Sequence, residues 1–458
     1  MDNNSDNLVD FDSLHNRLTG MNLLTCKGAI TKVAGLVLES NGPNIGLGEL
    51  CGIHLDDGRR ILAEVIGFRN GNLVLLPLED VGGVRQGNIV TSRAKQRDLT
   101  VGNGILGRVI DGLGRPIDGK GPLVGNDSRP VDNISVPPLT RKMITESLSL
   151  GIRSIDGMLT CGRGQRVGIF AGSGVGKSVL LGEIANSSEA EINVVALVGE
   201  RGREVREFIE EDLGPEGLAR SVIIVSTSDS APVQRVRAAF VAVTIAEYFR
   251  DQDKDVLFMM DSLTRLAQAQ REIGLAAGEP PASKGYCPSV FTLMPRLIER
   301  LGCSDKGSIT GILTVLTEGD DMNDPVADSA RSLLDGHFVL SRKLAEKGHY
   351  PAVDILQSIS RLMGVVVSRE HLAASNKLKE IYAIYADAED LINIGAYITG
   401  SNRRIDGAIA LIDQINAFLI QSVRERSSFS ETSGRLIEII SQWDSIISGN
   451  IAASAAGV

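Results

Sequence analysis

The sequence predicts an α/β protein with an N-terminal β-barrel, a central mostly parallel sheet covered by helices, and a C-terminal helical domain. Three observations carry this expectation. Short β-like runs separated by turn signals fill residues 23–97. From 98 to 370, apolar strand segments alternate with helical patterns, as a parallel sheet requires. From 371 to 458 apolar residues recur at helical spacing. At 458 residues the chain is too long for one core, and length alone suggests about three domains.

Residues 1–22 begin polar and then carry Leu8, Phe11, Leu14 and Leu18 at helical spacing. Two readings stay open: a short amphipathic helix that binds a partner, or a tail that packs one turn onto the body. Within 23–97, Ile61–Phe68 and Leu73–Leu76 flank Asn70-Gly71, whose residues both tolerate positive φ, so a tight hairpin is expected. Strands are expected at Val167–Phe170, Val194–Val198, Val222–Val225, Val256–Met260 and Ile312–Leu316. Near the C-terminus, Ile405, Ala408, Ile409, Ile412, Ile415 and Leu419 fall on one helix face, with Leu436, Ile437 and Ile440 following.

Composition narrows the class. The chain is 43% hydrophobic and 23% charged, with a net charge of -10 and a pI near 5.2. An acidic protein is poorly suited to a nucleic-acid backbone, so nucleic acid is not expected as a partner. Five scattered cysteines without a C-x-x-C pair read as reduced thiols in the cytoplasm. The five histidines show no metal-ligand spacing with them, which argues against a structural zinc site. The apolar run Ala238–Ala246 is too short to span a bilayer, and the polar, acidic N-terminus is unlike a secretory signal. A cytoplasmic protein is therefore expected, which leaves peripheral docking on a membrane assembly open.

The segment Phe170-Ala-Gly-Ser-Gly-Val-Gly-Lys177-Ser178 reads as a phosphate-binding loop between a buried strand and a helix. Glycines 172, 174 and 176 let the backbone turn so that successive N–H groups face one anion. Ser173, Val175 and Val179 complete the run into the helix, whose first turn adds free N–H groups. Lys177 is placed to reach the β- and γ-phosphates of a nucleotide, and Ser178 to ligate Mg²⁺. Ala171 stands where the usual pattern has glycine. The competing reading, a glycine-rich turn with an ordinary surface lysine, is disfavoured by the strand and helix flanks.

Three further segments bear on chemistry. Val256-Leu-Phe-Met-Met-Asp261 is an apolar strand ending in an acid, 84 positions after Lys177 (177 to 261). Asp261 reads as the acid holding Mg²⁺ through water, or as the cap of a helix starting at Ser262. Val198-Gly-Glu200-Arg201-Gly-Arg-Glu204 follows another strand. Glu200 reads as a carboxylate that polarises water, or equally as a first-turn helix charge. In His349-Tyr350-Pro351 the ring could stack on adenine or simply pack, and Arg361 could stabilise transition-state charge or form a surface ion pair.

Taken with Leu106-Gly-Arg-Val-Ile-Asp-Gly-Leu-Gly-Arg-Pro-Ile-Asp118, Asp261–Arg271, Glu318-Gly-Asp-Asp-Met-Asn-Asp-Pro325 and Leu334-Asp-Gly-His337, these segments resemble a family. Over about residues 23–440 the chain resembles rotary-type ATPase catalytic subunits, and most closely the flagellar protein-export ATPase and its type III secretion relatives. The resemblance implies a RecA-like central domain, ATP and Mg²⁺ as cofactors, and a hexameric ring. It makes Glu200 the catalytic carboxylate, Tyr350 the adenine platform and Arg361 the finger given to a neighbouring subunit. Arg201 and Arg265 resemble further phosphate-side residues. A regulator on the N-terminal helix, a central stalk protein, the export gate and chaperone–substrate complexes are the implied partners.

Ala171 fits the export branch better than the synthase branch, and Glu200 is absent from the non-catalytic synthase subunit. An injectisome ATPase and a rotary ATP synthase catalytic subunit are the enzyme alternatives. A ring helicase, and a sensor that binds ATP without turnover, are the readings from other classes.

Overall fold

The computed structural model describes residues 26–449 apart from 36, 93–97, 318 and 320, so the expected N-terminal helix lies outside the described residues. The chain divides into two compact units, Met1–Arg97 and Asp98–Val458.

The first unit is a closed six-stranded barrel. In spatial order its strands are Lys27–Ala34, Val37–Ser40, Asn72–Pro77, Arg60–Arg69, Leu50–His54 and Ile89–Ser92, antiparallel throughout. Period-two alternation sends Ile61, Ala63 and Val65 of one strand inward, against Ile53, Leu75 and Val90. Closure removes the unpaired edges that an open sheet would expose. The expected hairpin is present, with Asn70 at φ 50° and Gly71 at φ 81°.

The second unit is built on a nine-stranded sheet. Its main path runs Val353–Ser360, Gly336–Leu340, Arg166–Ala171, Ser308–Leu316, Asp255–Asp261, Ile192–Val198, Ser221–Ser226, Val109–Asp111. All pairings along the path are parallel except the antiparallel one between Val353–Ser360 and Gly336–Leu340. All five expected strands are in this sheet, each slightly longer than the apolar run that signalled it.

Alternate residues of each strand feed the two faces. Val194, Ala196 and Val198 join one core with the helices Pro232–Arg250, Leu263–Ala277 and Pro288–Ile298. Val195 and Leu197 join the other, with the helix Lys177–Ser187. The C-terminal helices Arg369–Asn393, Arg403–Leu419 and Phe429–Ser448 bury Ile381, Leu411, Ile415 and Trp443 in that second core. The helical region therefore shares apolar packing with the glycine-loop helix, where each fully buried aliphatic side chain contributes about 1.5–3 kcal/mol. Leu411 and Phe418 widen the buried stripe of Arg403–Leu419 beyond the expected face, while Ile405 and Ile409 are only half-buried.

Several motif segments turn out to be scaffold. In Leu106–Asp118, Arg108 and Asp118 form a buried ion pair at 2.7 Å, and the Asp111 carboxylate accepts the Leu113 and Arg115 N–H groups. In Leu334–His337, Asp335 accepts the Arg166 N–H at 3.0 Å and pins the start of the central strand. Asp324 caps the helix Pro325–Leu333.

Candidate active site

Parallel strands bring their C-terminal ends to one edge of the sheet, and loops leaving that edge converge. Arg166–Ala171 runs into the glycine loop, Ile192–Val198 into Glu200, and Asp255–Asp261 ends on Asp261 itself. The three strands and Ser308–Leu316 are neighbours in register, with Leu197 opposite Asp261 and Phe170 opposite Val315.

The loop bends at Gly174 (φ 80°) and Gly176 (φ 87°), positions where a side chain would be strained. Gly172 needs no such conformation, and Ala171 is the buried last residue of the strand. Lys177 then opens an eleven-residue helix. A cleft of about 630 Å³ lies over this turn, lined by Ala171 to Gly174, Gly176 to Val179, Glu200, Arg201, Glu204, Thr264, Arg265, Gln268, Leu316, Thr317, Gly319 and Arg342.

Lys177 is the centre of the site's electrostatics. Its Nζ lies 2.5 Å from Asp261 Oδ1 and 3.8 Å from Glu200 Oε1. Thr314 Oγ1, fully buried, donates to the same Asp261 oxygen at 2.8 Å. Asp261 does not cap the next helix: the Ser262 hydroxyl does, accepting the Arg265 N–H. Glu200 is not the first-turn charge either, because the helix Gly202–Glu207 begins after Arg201 and carries Glu204 in that role.

The two carboxylates differ in environment. Burial, and after it the neighbouring Asp261 charge, push the Glu200 carboxyl up to about 7; Lys177 offsets this only in part. Glu200 Oε1 is buried and has no hydrogen-bond partner among the described residues. A carboxylate poised near neutrality, beside a lysine and a glycine loop, suits proton abstraction from water.

The other expected residues are distributed differently. Arg265 lines the cleft, its Nε buried with no hydrogen-bond partner among the described residues and its Nη1 3.3 Å from Gln268. Arg201 lines the rim, is largely exposed and lies 3.6 Å from Glu204. Val175 turns its side chain into the core, leaving only its backbone in the loop. Tyr350 is 43% exposed, has its ring edge beside Gly176, and is not among the residues lining the cleft. Arg361 is exposed, donates to the Arg331 carbonyl at 3.3 Å, and does not reach its own chain's cleft. Thr264 and Gln268, within the motif segment Asp261–Arg271, also line the cleft, as do Thr317 and Arg342, which no motif in the sequence marks.

A glycine loop on a strand-to-helix turn, a strand-end acid and a near-neutral carboxylate in one cleft define a P-loop ATPase on a RecA-like sheet. Residues 30–93 match the ATP synthase alpha/beta family β-barrel domain, and 151–360 its nucleotide-binding domain; 367–438 match the T3SS EscN ATPase C-terminal domain. The flagellum-specific ATP synthase of Bacillus subtilis is 51% identical over 90% of this chain and 94% of its own. The type 3 secretion system ATPase of Sinorhizobium fredii is 45% identical, over 91% of this chain and 92% of its own. The assembled ATPase EscN of enteropathogenic E. coli, solved with its central stalk EscO, superposes with a TM-score of 0.83 at 44% identity, covering 90% of this chain and all of the EscN chain. The chain belongs to the ATP synthase alpha/beta family, in its branch of flagellum-specific and type III secretion ATPases.

Proposed function

We propose that this chain hydrolyses ATP as one subunit of a hexameric ring that energises protein export through the flagellar type III apparatus. The observation that carries the reading is the pairing of Lys177 with two carboxylates of unequal environment, Asp261 and Glu200, over the glycine loop. The loop N–H groups from Gly172 to Val179 hold the phosphates, and Lys177 turns from the acids to the β- and γ-oxygens. Ser178 and Asp261 fit Mg²⁺, which in nucleotide sites takes one or two protein ligands and the rest from phosphate and water. Mg²⁺ there supplies charge neutralisation of the phosphates. Glu200 accepts the proton of the water whose oxygen bonds to the γ-phosphorus, while the β–γ bridging bond breaks and its electron pair leaves with ADP. Arg265 and Arg201 stabilise the phosphate side, and Tyr350 offers its ring to adenine.

Arg361 completes the site of the next subunit. Its exposure, and its absence from the lining of its own cleft, support a role in trans. EscN was solved assembled and with a central stalk, which supports a ring and a stalk partner here. The same reading assigns a regulator to residues 1–22, and assigns chaperone–substrate complexes and the export gate as further partners. The reading places the ring in the cytoplasm, held peripherally on the export apparatus. Among the described residues no helix is long and apolar enough to cross a membrane. The flagellar branch is favoured over the injectisome by 51% identity to the Bacillus subtilis protein against 45% to the Sinorhizobium fredii one.

Supplying the chain to a strain that lacks its flagellum-specific ATPase should restore swarming, and the Lys177→Ala variant should not. Restored injectisome secretion without swarming would move the chain to the other branch.

Because Glu200 accepts a proton only when ionised, kcat/KM should rise about tenfold per pH unit below 7 and level off above it. A profile flat from pH 5.5 to 8 would remove Glu200 as the base.

A further inference from the structure

The segment joining the last two C-terminal helices is tied to the nucleotide site at two points. The chain leaves Arg403–Leu419 and enters Phe429–Ser448 through a strap at 420–428. The Gln421 N–H donates to the Tyr350 carbonyl at 2.9 Å. Three residues on, the Arg424 N–H donates to Glu183 Oε2 at 2.8 Å. Glu183 belongs to the helix that Lys177 opens and is only 9% exposed.

The strap is held in one shape. Buried Arg153 donates from Nε to the Phe418 carbonyl at 2.9 Å, and its guanidinium also bonds the Ile420 carbonyl and Glu425. The Gln421 side chain accepts the Arg153 N–H at 2.8 Å and donates to the Gly151 carbonyl at 2.8 Å. Arg424 sits at φ 66°, a conformation that a non-glycine residue keeps when its surroundings impose it.

We propose that Glu183 and Gln421 are positioning residues that fix Tyr350 relative to the phosphate loop and thereby set the affinity for the nucleotide base. The inference rests on the reading of Tyr350 as the base platform. The exposed Tyr350 ring has the loop glycine Gly176 on one side, so its orientation depends on what holds its backbone. The strap supplies that hold, and Glu183 fastens the same strap to the helix that carries the phosphates. One covalent segment thus sets the spacing between the phosphate end and the base end of the site. An interaction made equally in ground and transition states changes KM and leaves kcat alone.

Steady-state ATP hydrolysis by the full chain tests this with five proteins: parent, Tyr350→Ala, Glu183→Ala, Glu183→Gln and Gln421→Ala. Glu183→Ala removes the acceptor of the Arg424 N–H, and Gln421→Ala keeps the N–H to Tyr350 but removes the side chain that ties the strap to Arg153 and Gly151. Each should raise KM for ATP about tenfold with kcat kept, the scale of one lost hydrogen bond to a charged or buried group. Glu183→Gln retains an acceptor oxygen and should stay within about twofold of the parent. If Glu183→Ala does not fold, Gln421→Ala carries the same expectation. A raised KM in Tyr350→Ala with no change in the strap variants overturns the inference while leaving the platform intact. An unchanged KM in Tyr350→Ala sinks the platform reading, and the inference with it. A fall in kcat at constant KM in the strap variants also overturns it, because the strap would then act on chemistry.

Discussion

Replacing Glu200 by glutamine is expected to lower ATP turnover by about 10²–10⁴-fold while leaving nucleotide binding in place, the range for loss of a positioned general base. The amide keeps the shape of the carboxylate and cannot take a proton from water. The same change should raise stability at pH 8. The Glu200 carboxyl is held near 7 in the fold against an ordinary value of 4.5. Between those values the folded chain keeps a proton that the unfolded chain gives up, so this group's contribution to stability falls as pH rises. Removing the charge removes that penalty. A variant that melts higher at pH 8, binds ATP and turns over slowly would separate loss of the base from misfolding. Turnover within threefold of the parent would exclude Glu200 as the base.

Arg361→Ala is expected to cost about 10³–10⁵-fold in turnover, the range for an arginine that stabilises the charge of a transferring phosphoryl group. The size of this effect is at odds with the place of Arg361 in its own chain. There it is exposed, its guanidinium meets the Arg331 carbonyl, and it lies outside the cleft. An exposed arginine with that surrounding would ordinarily change stability by less than about 0.5 kcal/mol. A large loss of turnover without a change in melting temperature is therefore the signature of a residue used by another subunit. Arg361→Lys should recover little, because a single ammonium cannot reproduce the planar fork of the guanidinium.

Much of this was legible in the sequence for specific physical reasons. Buried parallel strands are continuous apolar runs, so Val194–Val198 and Val256–Met260 announced themselves. The glycine loop was readable because its spacing is fixed by backbone geometry at Gly174 and Gly176. Glu200 and Asp261 each left two readings open on spacing, and the helix boundaries at Arg201 and Ser262 decide where each acid sits. Thr314 was not legible. It lies mid-strand in an apolar run, and its hydroxyl matters only because the neighbouring strand ends in Asp261. Thr317 and Arg342 were hidden for the same reason: they reach the cleft from elements distant in sequence.

The motif segments also divide in a way that spacing does not disclose. Leu106–Asp118 and Leu334–His337 carry ion pairs and turn hydrogen bonds that brace the sheet. The glycine loop, Glu200 and Asp261 carry the proposed chemistry. The strap at 420–428 has no motif at all, since its links to Tyr350 and Glu183 run through backbone N–H groups that any residue type would offer.

In the proposed ring each site is shared between two subunits, with Glu200 from one and Arg361 from the next. Mixing Glu200→Gln and Arg361→Ala subunits, each inactive alone, tests it most directly through ATP turnover measured against mixing ratio. Mixed rings contain interfaces where an intact Glu200 faces an intact Arg361, so turnover should reappear and peak near equal amounts. Turnover that stays at the level of the separate variants at every ratio, in rings verified to contain both, would place the two residues in one chain's site and rule out the shared one.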